Sequence, residues 1–300
     1  MRRTLAWLGL ITAALAATPV MAQDDGPRVY QLVPVGARNL TVFAVAKRGN
    51  ETAEPGSVQP GSKIETDILV FRYVTTMDVA GRAFSPFVIV PVGEVRATGA
   101  PASSGFGDAQ IGATLGLVSA PALKTEAFTG FEPGFGLQIL GRVYIPTGAY
   151  DADKPVNFGS NRISAQFGLP MVFAAGRSYR DPRLTSLEVL PTLTIYQTNK
   201  DPFGADHSDK ETLFSVEAHL THNLRPRVWV SADLLARLGG ETRTDGLANG
   251  DGMRGWSAGG SVALPLTGSA SVIFTYQHVI ERNDDGPDGW FFRTALVAPF

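Results

Sequence analysis

The chain has 300 residues, of which 44 % are hydrophobic and 18 % charged, and its 26 basic and 28 acidic residues nearly balance. A mean hydropathy near zero excludes a disordered chain and a helical membrane protein. The lack of cysteine excludes disulfides and cysteine-bound metals, and no basic stripe is present, so we expect no nucleic-acid partner.

The N-terminus has the three regions of a secretory signal peptide. Arg2 and Arg3 are followed by an apolar stretch over residues 5–17, and residues 20–22 end in the small side chains that signal peptidase reads. We expect Sec-type export and cleavage before Gln23. The mature chain would then carry 24 basic and 28 acidic residues, a net charge of −4.

Beyond residue 38 the chain repeats segments of about ten residues in which apolar and polar side chains alternate. This alternation predicts β-strands, and no comparable window has the apolar period of a helix. About ten tilted residues are enough for a strand to cross a bilayer. The twelve predicted strands are 39–47, 64–75, 83–92, 107–118, 135–145, 162–172, 186–196, 212–222, 228–238, 255–264, 271–281 and 290–300.

Short and long connections tend to alternate between these strands, which is typical of outer-membrane barrels with short periplasmic turns and longer extracellular loops. Two connections, 119–134 and 173–185, are long where the alternation requires short turns. The short turns are 76–82, 223–227 and 265–270, and the long loops are 48–63, 93–106, 146–161, 197–211 and 239–254.

The stretch 106–118 shows that alternation alone is compatible with two folds. One face carries Asp108, Gln110 and Thr114, and the other is aliphatic, with Ile111 among its members. A soluble β-sandwich would bury the aliphatic face, whereas a membrane barrel would turn it to lipid and leave the polar face to a lumen. The export signal and the twelve similar segments favour the barrel.

The last strand alternates up to a C-terminal aromatic residue, Phe300. A terminal aromatic resembles the signal that the outer-membrane assembly machinery recognises, although soluble strands also end in this way. The rule that membrane sheets must close again favours the barrel over a secreted sandwich. We therefore expect a signal peptide over 1–22, a periplasmic lead-in or small plug over 23–37, and an all-β, single-chain antiparallel barrel of about 12 strands over 38–300.

Charges of both signs fall on the predicted inner face, since charge is costly in hydrocarbon. These side chains could select solutes, or Arg–carboxylate ladders could only fill a narrow barrel. Arg142 and Arg162 are our candidates for a constriction, and Asp108 is expected to pair with an inward arginine. The predicted lumen-lining residues are Arg72, Asp108, Gln110, Arg142, Tyr144, Arg162, Gln166, Glu188, Glu217, Trp229, Asp233, Arg237 and Arg293.

The sequence offers no catalytic constellation. His219 and His222 are three residues apart, so on a strand they face opposite sides and cannot bind one metal ion. Neither G-x-S-x-G nor H-E-x-x-H occurs. Asp284, Asp285 and Asp288 lie in a turn-rich stretch that favours a solvated loop over a calcium site. We expect no enzyme activity, no cofactor and no metal.

Four short motifs carry a family resemblance by their order and spacing. They are P-x-G-x-x-N-L over 34–40, G-x-G-D over 105–108 followed by Gly112, Pro-Thr-Gly over 146–148, and the terminal Phe300. The chain resembles the outer-membrane channel family associated with the MetA pathway of phenol degradation.

The resemblance implies a barrel of twelve or a similar number of strands that transports small solutes, aromatic or apolar ones among them. We expect the outer membrane of a Gram-negative bacterium as its location. Its partners would be outer-membrane lipid, the barrel assembly machinery during insertion and a small-molecule solute. The alternative is a structural or adhesive surface barrel with a plugged lumen.

Overall fold

The computed structural model describes residues 25–54 and 56–300. The predicted signal peptide and its cleavage site before Gln23 lie outside the described residues. In the described part of the chain, no helix has the length and apolar character needed to span a membrane.

The described residues form eighteen strands and a short helix, α1 (Thr125–Thr129), between β6 and β7. In chain order the strands are β1 (Arg38–Gly49), β2 (Ile64–Thr75), β3 (Met77–Val79), β4 (Arg82–Ala97), β5 (Ser103–Phe106), β6 (Ala109–Val118), β7 (Phe135–Ile145), β8 (Ser164–Gly168), β9 (Met171–Ala175), β10 (Thr185–Tyr196), β11 (Ser208–Lys210), β12 (Leu213–Arg225), β13 (Val228–Gly239), β14 (Thr242–Thr244), β15 (Leu247–Ala248), β16 (Met253–Pro265), β17 (Ser271–Arg282) and β18 (Gly289–Pro299).

Twelve antiparallel strands close into a barrel. β1 pairs with β2 on one side and with β18 on the other, from Asn39 opposite Pro299 to Gly49 opposite Gly289. β8 and β9 together act as one wall strand between β7 and β10. The remaining short strands are β3 and β5, which pair with β4, and the separate sheet β11-β14-β15. The predicted twelve-stranded barrel is confirmed.

The sixth predicted strand, 162–172, is divided into β8 and β9 because Pro170 has no N–H to donate to a ladder. The wall stays continuous across the break. The Gln138 N–H donates to the Pro170 carbonyl at 2.9 Å, and the Leu169 N–H donates to the Pro191 carbonyl at 3.1 Å. The break therefore changes one hydrogen-bond pattern but not the order of the strands.

Side chains of the wall alternate between an exposed apolar outer face and a buried polar inner face. In β6, Ile111 and Leu117 are exposed while Thr114 is buried, as the sequence predicted for a lipid-facing wall. Large apolar side chains exposed on the outer face include Leu69, Phe71, Ile111, Phe167, Leu193, Ile195, Phe214 and Leu220.

The connections 119–134 and 173–185, which are long where short turns were predicted, pack together at one end of the barrel. This is the end where β1 begins and β18 ends, and it is called here the inner end. The first contains α1, a helical turn that the sequence analysis did not predict. Its Phe128 ring stacks on Tyr179 of the second connection, with 5.6 Å between ring centroids. Leu32 is buried against this pair of connections, and the Val35 N–H donates to the Leu123 carbonyl at 2.7 Å. Their extra length therefore holds the chain that precedes β1.

Candidate functional site

Residues 25–37, which precede β1, lie inside the barrel and are called here the inner segment. The backbone N–H groups of Arg28 and Tyr30 donate to the two carboxylate oxygens of Glu188, at 2.9 and 3.2 Å. The Gln31 amide donates to the Ser186 hydroxyl at 2.8 Å. Glu188 and Ser186 are buried on β10, which stands opposite β1 in the ring of strands. The inner segment therefore crosses the lumen from one wall to the other.

A second buried carboxylate holds the tip of the inner segment. Glu217 on β12 accepts a hydrogen bond from the Asp25 N–H at 3.0 Å. The His219 ring lies beside it, with Nε2 at 3.5 Å from Glu217 and Nδ1 at 2.8 Å from Asp233. The Arg28 guanidinium lies over the Trp229 ring, 4.7 Å from its centroid. Wall acids thus bind the segment mainly through its backbone N–H groups, which carry no net charge.

The Asp25 carboxylate points away from this wall and towards wall cations. It lies 2.6 Å from Nη2 of Arg142, and the Tyr30 hydroxyl donates to the same carboxylate oxygen. Burial raises the pKa of Asp25, but the attraction of Arg142 and Arg72 outweighs burial and leaves the pKa below its ordinary value. Asp25 therefore stays an anion inside the barrel at neutral pH.

At the opposite, outer end, residues 50–54 and 56–63 turn back into the lumen and are called here the outer loop. Both Glu51 oxygens accept hydrogen bonds from the Arg237 guanidinium, each at 2.8 Å, and Lys47 also contacts Glu51. Burial raises the pKa of Glu51, but Arg237 and Lys47 outweigh burial and lower the pKa to about 2. A bidentate arginine–carboxylate pair is among the strongest hydrogen-bonded pairs in proteins.

A second acidic side chain of the outer loop also binds cations. Glu54 lies 3.0 Å from Nε of Arg162 and 3.4 Å from Nζ of Lys210. Gly56 has a φ of +66°, and a Cβ there would meet the Leu213 side chain, so glycine favours the close approach of the loop to β12. The outer loop is therefore held by its own acids on wall and loop cations.

Two cavities remain in the lumen. The central chamber, about 80 Å³, lies between the inner segment and the outer loop, and the inner cavity, about 470 Å³, runs beside the inner segment to the inner end. Four residues border both cavities: Asp25, Phe43, Arg72 and Arg293. This shared border is the junction of the two cavities and is the candidate constriction of the lumen.

The arginine side chains at and beside the junction are positioned by aromatic rings. Arg72 and Arg142 lie over the same Phe87 ring, at 5.5 and 5.3 Å from its centroid, and Arg293 lies 5.6 Å from the Phe43 centroid. Arg72 donates no hydrogen bond to any described residue, and its Nε is buried without a partner. Such a buried donor costs about 1–3 kcal/mol unless a ligand or water satisfies it.

The structure distributes the thirteen predicted lumen residues among three places. The central chamber is lined by Arg72, Gln110, Arg142, Tyr144, Gln166, Arg237 and Arg293. Glu188, Glu217, Trp229 and Asp233 lie on the wall around the inner segment, and Asp108 and Arg162 lie near the outer end.

Two detailed expectations change. Asp108 does not pair with an inward arginine: it accepts hydrogen bonds from the N–H groups of Gly148 and Ser160, at 3.0 and 2.9 Å, and from the Ser160 hydroxyl. The expected pairing was wrong because loop 146–161 folds over the end of β6. Arg142 and Arg162 do not lie together at one constriction: Arg142 lines the central chamber, and Arg162 binds Glu54 of the outer loop.

A small plug was one of the two alternatives predicted for residues 23–37, but the acidic side chains that lie in the lumen, Asp25, Glu51 and Glu54, were not among the predicted lumen residues. Each lies in a polar stretch outside the alternating strands, where acidic residues normally face solvent. The available signal was the predicted inner face, on which five arginines outnumber four carboxylates. In the described part of the chain, no group of His, Asp and Glu side chains is arranged to hold a metal ion.

Comparisons with known proteins agree with this architecture. Residues 46–291 match the family model described as "Putative MetA-pathway of phenol degradation". An outer membrane channel from Pseudomonas putida F1 superposes with a TM-score of 0.75 at 17 % identity, covering 92 % of this chain and 100 % of the channel. The beta domain of the Bordetella autotransporter BrkA gives 0.50 at 11 % identity, covering 89 % of this chain and 100 % of that domain.

These structural likenesses show the fold: the chain has the architecture of outer-membrane β-barrels. The family resemblance inferred from the sequence is confirmed by the family model, which spans most of the strands. No curated protein matches the chain.

Proposed function

The chain belongs to the family described as "Putative MetA-pathway of phenol degradation", and on that basis we propose that it is an outer-membrane channel for the passive uptake of small solutes, aromatic or apolar ones among them. The observation that carries the proposal is the pair of cavities that meet at Asp25, Phe43, Arg72 and Arg293. Together the two cavities extend from the outer loop to the inner end, and the junction separates them. The similar protein of Pseudomonas putida is named an outer membrane channel.

The proposal extends to location and processing. Residues 1–22 would direct Sec-type export in a Gram-negative bacterium and be removed, and residues 23–37 would act as a small plug. Phe300 would be the signal for the assembly machinery: it is exposed next to Tyr73 on the outer face, and its N–H donates to the Arg38 carbonyl at 3.0 Å. Lipid would cover the exposed apolar outer face.

Solute flux tests the channel. The purified mature chain is reconstituted in liposomes, and swelling is measured in glycerol and in neutral sugars of increasing size. We expect glycerol to enter faster than through protein-free liposomes, with a sharp cut-off at larger sugars because the junction is narrow. A variant lacking residues 25–32 should raise both the rate and the cut-off. A deletion variant that is folded but passes no solute would contradict the channel.

A second candidate function is a structural or adhesive surface barrel whose lumen is plugged. The observation that favours it is that the chain fills both ends, with the inner segment and the outer loop each bound to buried wall residues. This alternative predicts no conductance from the intact chain in planar bilayers. It also predicts that wild-type liposomes do not swell in glycerol.

A further inference from the structure

We propose that the central chamber is a binding site for a small organic anion, a carboxylate with an apolar body such as an aromatic acid, and that the ligand carboxylate takes the place that Asp25 occupies on Arg142 and Arg72. The inference rests on the proposed channel function and adds to it a class of solute. It assigns Asp25 the role of a built-in competitor.

The charge of the chamber argues for an anion. Among the described residues that line it, four arginines face a single aspartate. Arg237 is already taken by both oxygens of Glu51. Among the described residues of the chamber, Asp25 is the carboxylate that attracts both Arg142 and Arg72; it accepts a hydrogen bond from Arg142, whereas Arg72 donates none. A cation would meet net repulsion in this space, whereas an anion would meet an arginine with unused donors.

The arrangement of the two arginines suits a planar carboxylate. Both guanidinium groups lie against the Phe87 ring at nearly equal distances, so one ring positions them as neighbours. A guanidinium offers parallel N–H donors that match the two oxygens of a carboxylate. The Asp25 carboxylate, 2.6 Å from Arg142, already shows that this group fits there.

The rest of the chamber favours an apolar body rather than a phosphate or a sugar. Phe43, Val45, Val70, Ile89 and Pro91 line its wall beside the arginines. The chamber itself is small, about 80 Å³, but Asp25 stands on its border with the inner cavity of about 470 Å³, so displacing the Asp25 side chain would give the apolar body room across that border. An aromatic acid would place its carboxylate at the arginines and its ring along this wall, and it would bury apolar surface on binding.

Asp25 links binding to the inner segment. It stands at the junction of the two cavities, and among the described residues its contacts besides the arginines are that of its backbone N–H with Glu217 and that of its carboxylate with the Tyr30 hydroxyl. A ligand that displaces the Asp25 side chain also breaks the ion pair that holds the first residue of the inner segment at Arg142. Uptake of an anion would therefore loosen the segment that narrows the junction.

Titration calorimetry with benzoate tests the site on the detergent-solubilised mature chain at pH 7, with benzamide as the neutral isostere. We expect benzoate to bind at least tenfold more tightly than benzamide. Arg72→Gln should weaken benzoate at least tenfold, and Arg72→Lys should restore part of the loss by keeping the charge. Arg243→Gln is the matched control, because Arg243 pairs with Glu211 on the exposed surface.

Asp25→Asn should tighten benzoate binding about tenfold, because it removes the negative charge that competes with the ligand. A gain of affinity cannot result from a damaged barrel, whereas the loss expected for Arg72→Gln could. Equal affinity for benzoate and benzamide, or unchanged binding in both Arg72→Gln and Asp25→Asn, would overturn the inference. Inorganic phosphate binding as tightly as benzoate would also overturn it. Liposomes that pass glycerol but show no benzoate binding would refute this site alone, whereas absence of any flux would refute the channel.

Discussion

The inner segment and the outer loop both enter the lumen, but opposite charge patterns hold them. The outer loop brings its own carboxylates, Glu51 and Glu54, to cations of the wall and the loops. Apart from the Asp25 carboxylate on Arg142, the inner segment brings backbone N–H groups to the carboxylates Glu188 and Glu217, which belong to the wall. Salt-bridged side chains lose a strong partner when they separate, whereas backbone N–H groups can exchange their acceptors for water. The comparison indicates that the outer loop is fixed and the inner segment is the part that can leave.

The largest effect is expected from Glu51→Ala. It leaves Arg237 buried without its bidentate partner, a change that costs about 3–5 kcal/mol of unfolding free energy. Urea unfolding in lipid vesicles measures the loss. Glu65→Ala removes a half-exposed partner of Arg48 and should cost less than about 1 kcal/mol. An unfolding midpoint for Glu51→Ala that equals that of Glu65→Ala would remove the distinction between a fixed loop and a releasable segment.

Glu188→Ala should have the next largest effect, and on the inner segment rather than on the barrel. It removes both acceptors of the Arg28 and Tyr30 N–H groups, and a hydrogen bond to a charged group contributes about 1.5–3 kcal/mol. Cleavage by trypsin after Arg28, followed by mass spectrometry, should accelerate about a hundredfold.

Two variants serve as controls for that experiment. Glu188→Gln keeps one acceptor and should give an intermediate rate, and Glu211→Ala changes only an exposed ion pair and should leave the rate unchanged. If Glu51→Ala accelerated cleavage after Arg28 as much as Glu188→Ala does, the two structures would be one cooperative unit.

A smaller effect is expected from Gly26→Ala. Gly26 has a φ of +88°, and a Cβ there would collide with the Arg293 guanidinium. Gly36 has a similar φ of +85° but open space around its Cβ position, so Gly36→Ala carries only the backbone strain of about 1–2 kcal/mol. Cleavage after Arg28 should therefore be faster in Gly26→Ala than in Gly36→Ala. Equal rates would mean that the close approach to Arg293 does not hold the segment.

The smallest effect is expected from mild acid. The pKa of Glu51 falls from 4.5 to about 2 in the folded chain, so its contribution to stability is complete above about pH 4.5 and is lost as pH falls through about 2. The difference in unfolding free energy between wild type and Glu51→Gln should thus be the same at pH 7 and pH 5 and should shrink at pH 3. A difference that already shrinks at pH 5 would place the outer loop under pH control.

The barrel could be predicted from the sequence because period-2 alternation is a local signal that each strand carries by itself. β2 and β7 have the predicted bounds, and the interruption at Pro170 follows from a missing N–H. The contacts that hold the inner segment could not be predicted, because Asp25 and Arg142 lie 117 positions apart and no periodic pattern connects them. The unusual length of the connections 119–134 and 173–185 was a sequence feature that pointed to the inner segment, since an outer-membrane barrel normally has short turns at these positions.

The path of the inner segment across the lumen has a consequence for the order of assembly. Its hydrogen bonds to Glu188 and Glu217 join residues 158 to 192 positions apart, so they cannot form until β10 and β12 have been synthesised and paired. Contacts of such separation form late because loop closure has to precede them. The seam between β1 and β18 joins the first wall strand to the last. A folding barrel therefore passes through a stage in which the inner segment is not yet bound across the lumen, and the segment binds once β10 and β12 are in place.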